Sequence, residues 1–369
     1  MQPRFPCMIL RGGTSKGSDF LADDLPHDPE RRDVLLLSIM GSPDPRQIKG
    51  VAGAHPLTSK IAIVSRSKRP DCDVDIRFRQ VAVDKPRVDV TPNCGNIRAG
   101  VALFAVERGL MKAESPVTRV RVHTVNTGTI AELKVQTCDG HVVYGGETRF
   151  DGAPGTAAPI AVEFLDLAGS VCGSLLLTGN AVDRVAGVDV TMIGNGMPVV
   201  VLEAASVGRT GYEPHDVLDK DTELKTRLEE MRLEAGGFMS LGDVLSKVVP
   251  KMALVPPPAA GEHVCACSFI PHECHASIGV FAAVTVATAY VLPGSSGARV
   301  AQIPPGRERT LSVEHPTGEF SVVIAVCGTE DSPVVEKAGL SRMAYLLFEG
   351  YAYVHEALAL RPEADRDAT

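Results

Sequence analysis

Two stretches constrain the fold more than any others: "NIRAGVALFAV", residues 96–106, and "IGVFAAVTVATAYVL", residues 278–292. Each is apolar nearly all round, with Ala and Gly where a neighbour must come close. A helix of that kind has no face to offer water and has to be enclosed on every side. Each follows a strand-like run and a short loop, and each begins beside a cysteine, Cys94 or Cys274, 180 positions apart. What surrounds them is short and β-branched: "KIAIVSR", "VDIRFRQVAV", "VTRVRVHTV", "VVYGG", "MPVVVLEA" and "EFSVVIAV" read as strands closed by turn residues. The pattern is α+β: two similar lobes, each a strand wrap around one central buried helix, at 95–109 and at 275–289. The boundary falls inside "LLLTGNAVDRVAG", giving lobes 1–182 and 183–369, with the last residues free to cross back to the first lobe. The site of such a molecule is expected in the cleft between the lobes.

Other helices are few. "PERRDVLLLSIMG" has Pro29 in its first turn. "DTELKTRLEEMRLEAGG" can be capped by Asp221 or Thr222 and stops at Gly236-Gly237. "PHDVLD" and "GLSRMAYLLF" read as shorter helices, and the polar end "RPEADRDAT" is expected to fray. The chain of 369 residues is 44% hydrophobic and 22% charged with a formal net charge of -8, and its Lys and Arg are scattered. That argues against nucleic acid or an anionic membrane as partner. The start "MQPRFPCMILRGG" does not have the shape of a signal peptide, and no apolar run reaches the length of a membrane span. Nine cysteines, an odd number, without a secretory signal point to reduced thiols in the cytoplasm.

Chemistry concentrates in polar, glycine-bearing loops. In "TPNCGNIRAG" the unpaired N–H groups of a helix start would face Cys94, favour a thiolate there and offer a carboxylate site. A small thiol packed under a helix start fits the residues equally well. "RGGTSKG", with Thr14, Ser15 and Lys16, fails the Walker spacing, so ATP is not expected. It forms either a turn of backbone donors for a carboxylate or a plain turn between strands. In "GAHPLTSKIAIV" Lys60 opens a strand, as a base at the mouth of a cleft or as a solvated strand end. His55 in the same loop binds a carboxylate or caps the turn. "EHVCACSFIPHECHAS" collects His263, Cys265, Cys267, His272, Cys274 and His275, but not at zinc spacing, so no metal is expected. His272 and His275 are expected to flank the second helix start. "GGFMSLGD", with Ser240, and "HPTGEF", with His315 and Thr317, are further loops of substrate-binding type. "IGNGMP" lacks the dinucleotide spacing.

Taken in order, "RGGTSKG", "GSPDPRQIKG", "GAHPLTSK", "NCGN", "TGN…D" and "GFMSLGDV" resemble the motifs of the methylaconitate isomerase (PrpF-like) family, over nearly the whole chain. The resemblance implies the diaminopimelate epimerase fold and no cofactor. "GAHPLTSK" is more similar to the 4-oxalomesaconate tautomerase/isomerase branch, which works in bacterial breakdown of gallate, protocatechuate and lignin-derived aromatics. By that resemblance Lys60 and Cys94 match a proton-transfer pair, and Ser15, Gly95 and Asn96 match positions near substrate carboxylates. Thr14, Lys16, His55, Ser59, Asn93, Ser240, His272, His275, His315 and Thr317 complete the expected binding set. Diaminopimelate epimerases use two cysteines, one per lobe. "HECHAS" does not match their second motif, so lysine plus cysteine is expected here. The implied substrate is a small unsaturated tricarboxylate, moved by a 1,3-allylic shift or a keto–enol change. The nearest alternatives are 2-methylaconitate cis/trans or methylitaconate isomerisation, and beyond them a cofactor-free racemase or epimerase. A homodimer is the default expectation.

Overall fold

The computed structural model describes residues 2–90, 94–149, 154–165, 167–245, 247–258, 264–270, 273–275, 277–301, 303, 306–316, 318–329 and 332–355. The chain forms two compact units, one of residues 1–162 and 342–369, the other of residues 163–341.

The first unit holds β1 (Arg4–Gly12), β2 (Ser15–Leu21), helix α1 (Pro29–Met40), β3 (Lys60–Arg66), β4 (Val74–Val81) and β5 (Val88–Asp89). Helix α2 (Gly95–Glu107), β6 (Val117–Thr124), β7 (Thr129–Cys138) and β8 (His141–Val142) follow. Its strands run in the order β7-β6-β4-β3-β2-β1-β20, where β20 is Ala344–Tyr353 near the end of the chain. Helix α2 packs against β1, β2, β3, β4, β6, β7, β8 and β20, and every residue from Ile97 to Val106 is buried. The all-round apolar surface of the helix is matched by an all-round strand wrap. Helix α1 is laid down by local rules: Asp28 accepts from the Arg31 N–H, Pro29 opens the first turn, and Gly41 at φ 79 ends it. Leu35, Leu36, Ile39 and Met40 then close a core with Cys7, Phe20, Ile61 and Ile63 from the sheet.

After β9 (Ile160–Leu165), the second unit contains β10 (Asp183–Val185), β11 (Val188–Gly194), β12 (Pro198–Glu203), α3 (His215–Lys220), α4 (Thr222–Phe238), β13 (Lys251–Val255), β14 (Val264–Cys265), β15 (Cys267–Ile270) and β16 (Glu273–Cys274). It continues with α5 (Val280–Val291), α6 (Ser296–Val300), β17 (Glu308–His315), β18 (Gly318–Thr329) and β19 (Ser332–Arg342). The strands form the runs β10-β11-β12-β13-β15-β16 and β14-β17-β18-β19. Helix α5 lies against β11, β12, β17, β18 and α6, with Ala282 to Val291 all buried. Helix α4 starts on Asp221, whose carboxylate accepts from the Leu224 N–H. Among the described residues no helix is long and apolar enough to cross a membrane.

The α+β architecture and the buried helix of each unit are as expected, and three details differ. The second central helix starts at Val280 on a Gly279 N-cap, not at 275, because Glu273 and Cys274 pair with β15 as a strand. The division falls at residue 162 rather than 182, because 175–185 fold onto the second unit. Gly194 N–H donates to the Leu175 carbonyl, Thr178 and Asn180 both donate to the Asp183 carboxylate, and β10 pairs with β11. "GLSRMAYLLF" is not a helix: it spans the end of β19 and the start of β20, which pairs with β1 along its length. The open edge of β1 supplies backbone partners that a local reading of an apolar run cannot see. The expected fraying end lies outside the described residues.

Candidate functional site

The candidate site is built where β1, β2 and β3 meet the first turn of α2. Lys60 opens β3, paired with Gly17 of β2 on one side and Gln80 of β4 on the other. Only 8% of it is exposed, and its Nζ lies 5.6 Å from the centre of the Phe78 ring. Cys94 is the N-cap residue of α2, in extended conformation at φ -136. Lys60 Nζ donates to Cys94 Sγ across 3.4 Å. Cys94, Gly95 and Asn96 are half-buried, whereas Ile97 to Val106 are buried. The first turn of α2 therefore presents its thiol and its unpaired N–H groups at an open end of a helix whose body is enclosed.

"RGGTSKG" is the turn between β1 and β2, and its glycines are there for contact. A Cβ on Gly12 would lie 1.9 Å from the Asn96 carbonyl oxygen. Gly13, at φ 51, sits against the Asn96 side chain, where a Cβ would be 2.6 Å from Oδ1. Asn96 Nδ2 donates to Thr14 Oγ1 at 3.0 Å and more loosely to Ser15 Oγ at 3.5 Å. Thus Thr14, Ser15, Gly95 and Asn96 converge beside the Lys60–Cys94 pair, with Ser15 itself buried under Asn96. Lys16 reaches the 51–54 loop, its Nζ 3.4 Å from where a Gly53 Cβ would stand.

Two arginines that the sequence reading passed over share this end of the unit. Arg98 and Arg342 are each 1% exposed. Burial pushes both guanidiniums down from the usual arginine range, and the charge of Cys94 acts the other way on each. Arg98 carried a signal, the one charge inside an otherwise apolar helix. Arg342 carried none, since only the return of the chain end brings it here.

The remaining expected residues sort by what they touch. His55 is exposed, and its Nδ1 accepts from the Leu57 N–H, so it caps the turn. Ser59 is fully buried and donates to Gln47 Oε1 at 2.7 Å, which commits its hydroxyl inside the protein rather than to a substrate. Ser240 is exposed after α4 with φ 53, a turn position of the second unit. His275 and His315 meet at Ser277 in that unit. The Ser277 N–H donates to His275 Nδ1 at 2.9 Å, and its hydroxyl lies 3.3 Å from His315 Nε2. Burial first, then the Lys251 charge, holds His275 below its ordinary range. Asn93, His272 and Thr317 lie outside the described residues. Cys274 is no counterpart of Cys94. It is a buried strand residue in the core of the second unit, and burial, then the nearby Asp219, pushes its thiol up to about 11.

Fold and site together describe an α+β protein of two units with a lysine–cysteine contact at the exposed start of a buried helix. The model of the family described as PrpF protein matches residues 2–355, and the chain belongs to that family. It is 56% identical over 349 residues to a (4E)-oxalomesaconate Delta-isomerase of Novosphingobium sp. (strain KA1), covering 95% of this chain and 97% of that one. It is 54% identical to a 4-oxalomesaconate tautomerase of Pseudomonas putida, covering 95% and 96%. A 3-methylitaconate isomerase of Eubacterium barkeri is 38% identical over 96% of this chain and 98% of its own. The crystal structure of a methylitaconate delta-isomerase superimposes over the whole of both chains with a TM-score of 0.87 at 35% identity. The protein is an isomerase.

Proposed function

We propose that this isomerase acts on 4-oxalomesaconate, by moving a proton between carbons of the conjugated system or between carbon and the keto oxygen. The observation that carries the chemistry is the 3.4 Å contact between Lys60 Nζ and Cys94 Sγ at the open end of α2. The substrate follows from the relatives of that name at 56% and 54% identity, against 38% for the methylitaconate enzyme.

A C–H next to a double bond conjugated with carbonyls is acidic because its anion spreads onto oxygen. The amine of Lys60 takes that proton and becomes ammonium. The resulting dienolate is held by donors fixed in place before the reaction, the α2 N–H groups and the Asn96 amide. The Cys94 thiol delivers a proton at the second position and becomes thiolate. The sum is one proton lost and one gained, with no electrons exchanged, so the chemistry calls for no cofactor. Lysine ends as ammonium and cysteine as thiolate, and the direct contact lets the proton pass from Nζ to Sγ to restore the neutral pair. The reverse direction uses the same groups in exchanged roles. A cytoplasmic enzyme with its nine thiols reduced, working in aromatic catabolism, goes with this reading.

Lys60→Ala and Cys94→Ser are each expected to lower kcat by about 10²–10⁴-fold, the usual weight of a positioned acid or base, with circular dichroism unchanged. The substrate is tested by NMR in deuterated water. Deuterium should enter 4-oxalomesaconate at the carbon that is deprotonated, and 2-methylaconitate and methylitaconate should exchange far more slowly. Fast exchange of those two, with none in oxalomesaconate, would move the assignment to their branch.

A further inference from the structure

The motif "GSPDPRQIKG", residues 41–50, has no part in the chemistry above, yet its glutamine is built with unusual care. Gln47 is 2% exposed and has φ 46, in the left-handed region that side-chain-bearing residues avoid. Glycine or asparagine would sit there at lower cost, so the glutamine side chain itself is what the position holds. All its polar atoms are used. Oε1 accepts from the Ala54 N–H at 2.8 Å and from the Ser59 hydroxyl at 2.7 Å, and Nε2 donates to Ser42 Oγ at 3.0 Å. The backbone N–H of Ala54 can only donate, which fixes which end of the amide is oxygen. Ala54 is left-handed as well, at φ 56, so two strained residues are tied to each other by one bond.

The far end of this network is the residue before Lys60. Past Lys60 the chain is a paired strand, held by β2 and β4. At Ser59 the carbonyl accepts from the Val81 N–H and from Gln80 Nε2, each at 3.0 Å. The Ser59 side chain is held by Gln47 alone among the described residues. We propose that Gln47 is a positioning residue for Lys60: it anchors the loop after α1 to Ser59 and so sets where the lysine enters β3 and how its Nζ meets Cys94. The inference rests on the proposed role of Lys60. An error of about 1 Å in the placement of a reacting group costs on the order of 10²-fold in rate, so a clamp one residue away has leverage on kcat.

The experiment compares kcat, KM and melting temperature for the full-length wild type, Gln47→Ala, Gln47→Glu and Ser59→Ala, with Lys60→Ala alongside. Gln47→Ala is expected to lower kcat by about 10–100-fold with KM within about twofold. Gln47→Glu keeps both acceptor contacts, toward Ala54 and Ser59, and should recover most of kcat. Because it adds a charge near Lys60, its pH–rate profile should move while that of Ser59→Ala does not. Ser59→Ala breaks only the last link and should fall between. A Gln47→Ala enzyme that melts lower but turns over as wild type overturns the inference, as does a kcat loss that Gln47→Glu fails to recover while remaining folded. If Lys60→Ala keeps its activity, the failure lies instead with the proposed function. An inert Lys60→Ala together with an unimpaired Gln47→Ala removes the clamp alone.

Discussion

At the scale of single residues, the first unit concentrates charge where its interior is driest. Lys60, Arg98 and Arg342 are buried, and half-buried Cys94 stands among them. A buried cation is costly unless an anion or hydrogen-bond acceptor meets it. Asp19 is the odd member. It lies on β2 facing Gly100 of α2, is 1% exposed, and neither carboxyl oxygen has a hydrogen-bond partner among the described residues. Burial raises it well above the ordinary carboxyl range. Below the unfolded value of about 3.8 both folded and unfolded chains hold the proton, and the group costs nothing. As pH rises past that value the unfolded chain ionises while the folded one does not, and stability is lost until the folded group titrates. Asp19→Asn should therefore melt higher than wild type at pH 7, with the gain shrinking towards pH 4. Melting curves across that range check it, and a gain independent of pH would show that Asp19 is ionised in the fold. Lys60 and Cys94 stood out only through the order of motifs that resembles a known family, since the residues alone left a bland reading open for each. Asp19 and Gln47 did not, since their burial is decided by elements far along the chain.

At the scale of elements, the contact between the β1–β2 turn and α2 sets the site. Helix α2 was legible from its apolar surface and its loop, and its start at Gly95 agrees with the expected one. The glycine turn was legible as a turn but not as a seat for Asn96. Gly12→Ala tests that seat. The added Cβ would meet a backbone oxygen at 1.9 Å, which no side-chain rotation relieves. The turn or the helix has to move, at a cost of about 1–3 kcal/mol or more, and the pair of Lys60 and Cys94 moves with it. Both melting temperature and kcat are expected to fall, with kcat falling further than the loss of folded protein explains. Helix α5 shows the opposite case. Its apolar body was plain from the sequence, but its start was misplaced by several residues because Glu273 and Cys274 had a strand partner that only the tertiary fold provides.

At the scale of the whole molecule, the end of the chain is structural. Strand β20 pairs with β1 from Arg4 to Gly12, and Ala352 and Val354 enter the core beneath α1. Ala352→Asp would place a carboxylate in that core, and an uncompensated buried charge costs several kcal/mol against a total stability of about 5–15 kcal/mol. A poorly soluble or low-melting protein is expected. Leu347→Asp, on the same strand but 50% exposed, should change melting temperature little and serves as the control. The sequence by itself determined what depends on neighbours in the chain: the α+β class, the two enclosed helices, and the Pro29 first turn of α1. The tertiary structure decided whatever depends on a distant partner. It turned "GLSRMAYLLF" into strand, put the unit boundary at residue 162, gave the Ser59 hydroxyl to Gln47, and brought Arg342 to Cys94 across 248 positions. The physical reason is the same in each case. Backbone pairing and desolvation are set by what lies across space, and a residue's sequence neighbours carry no record of it.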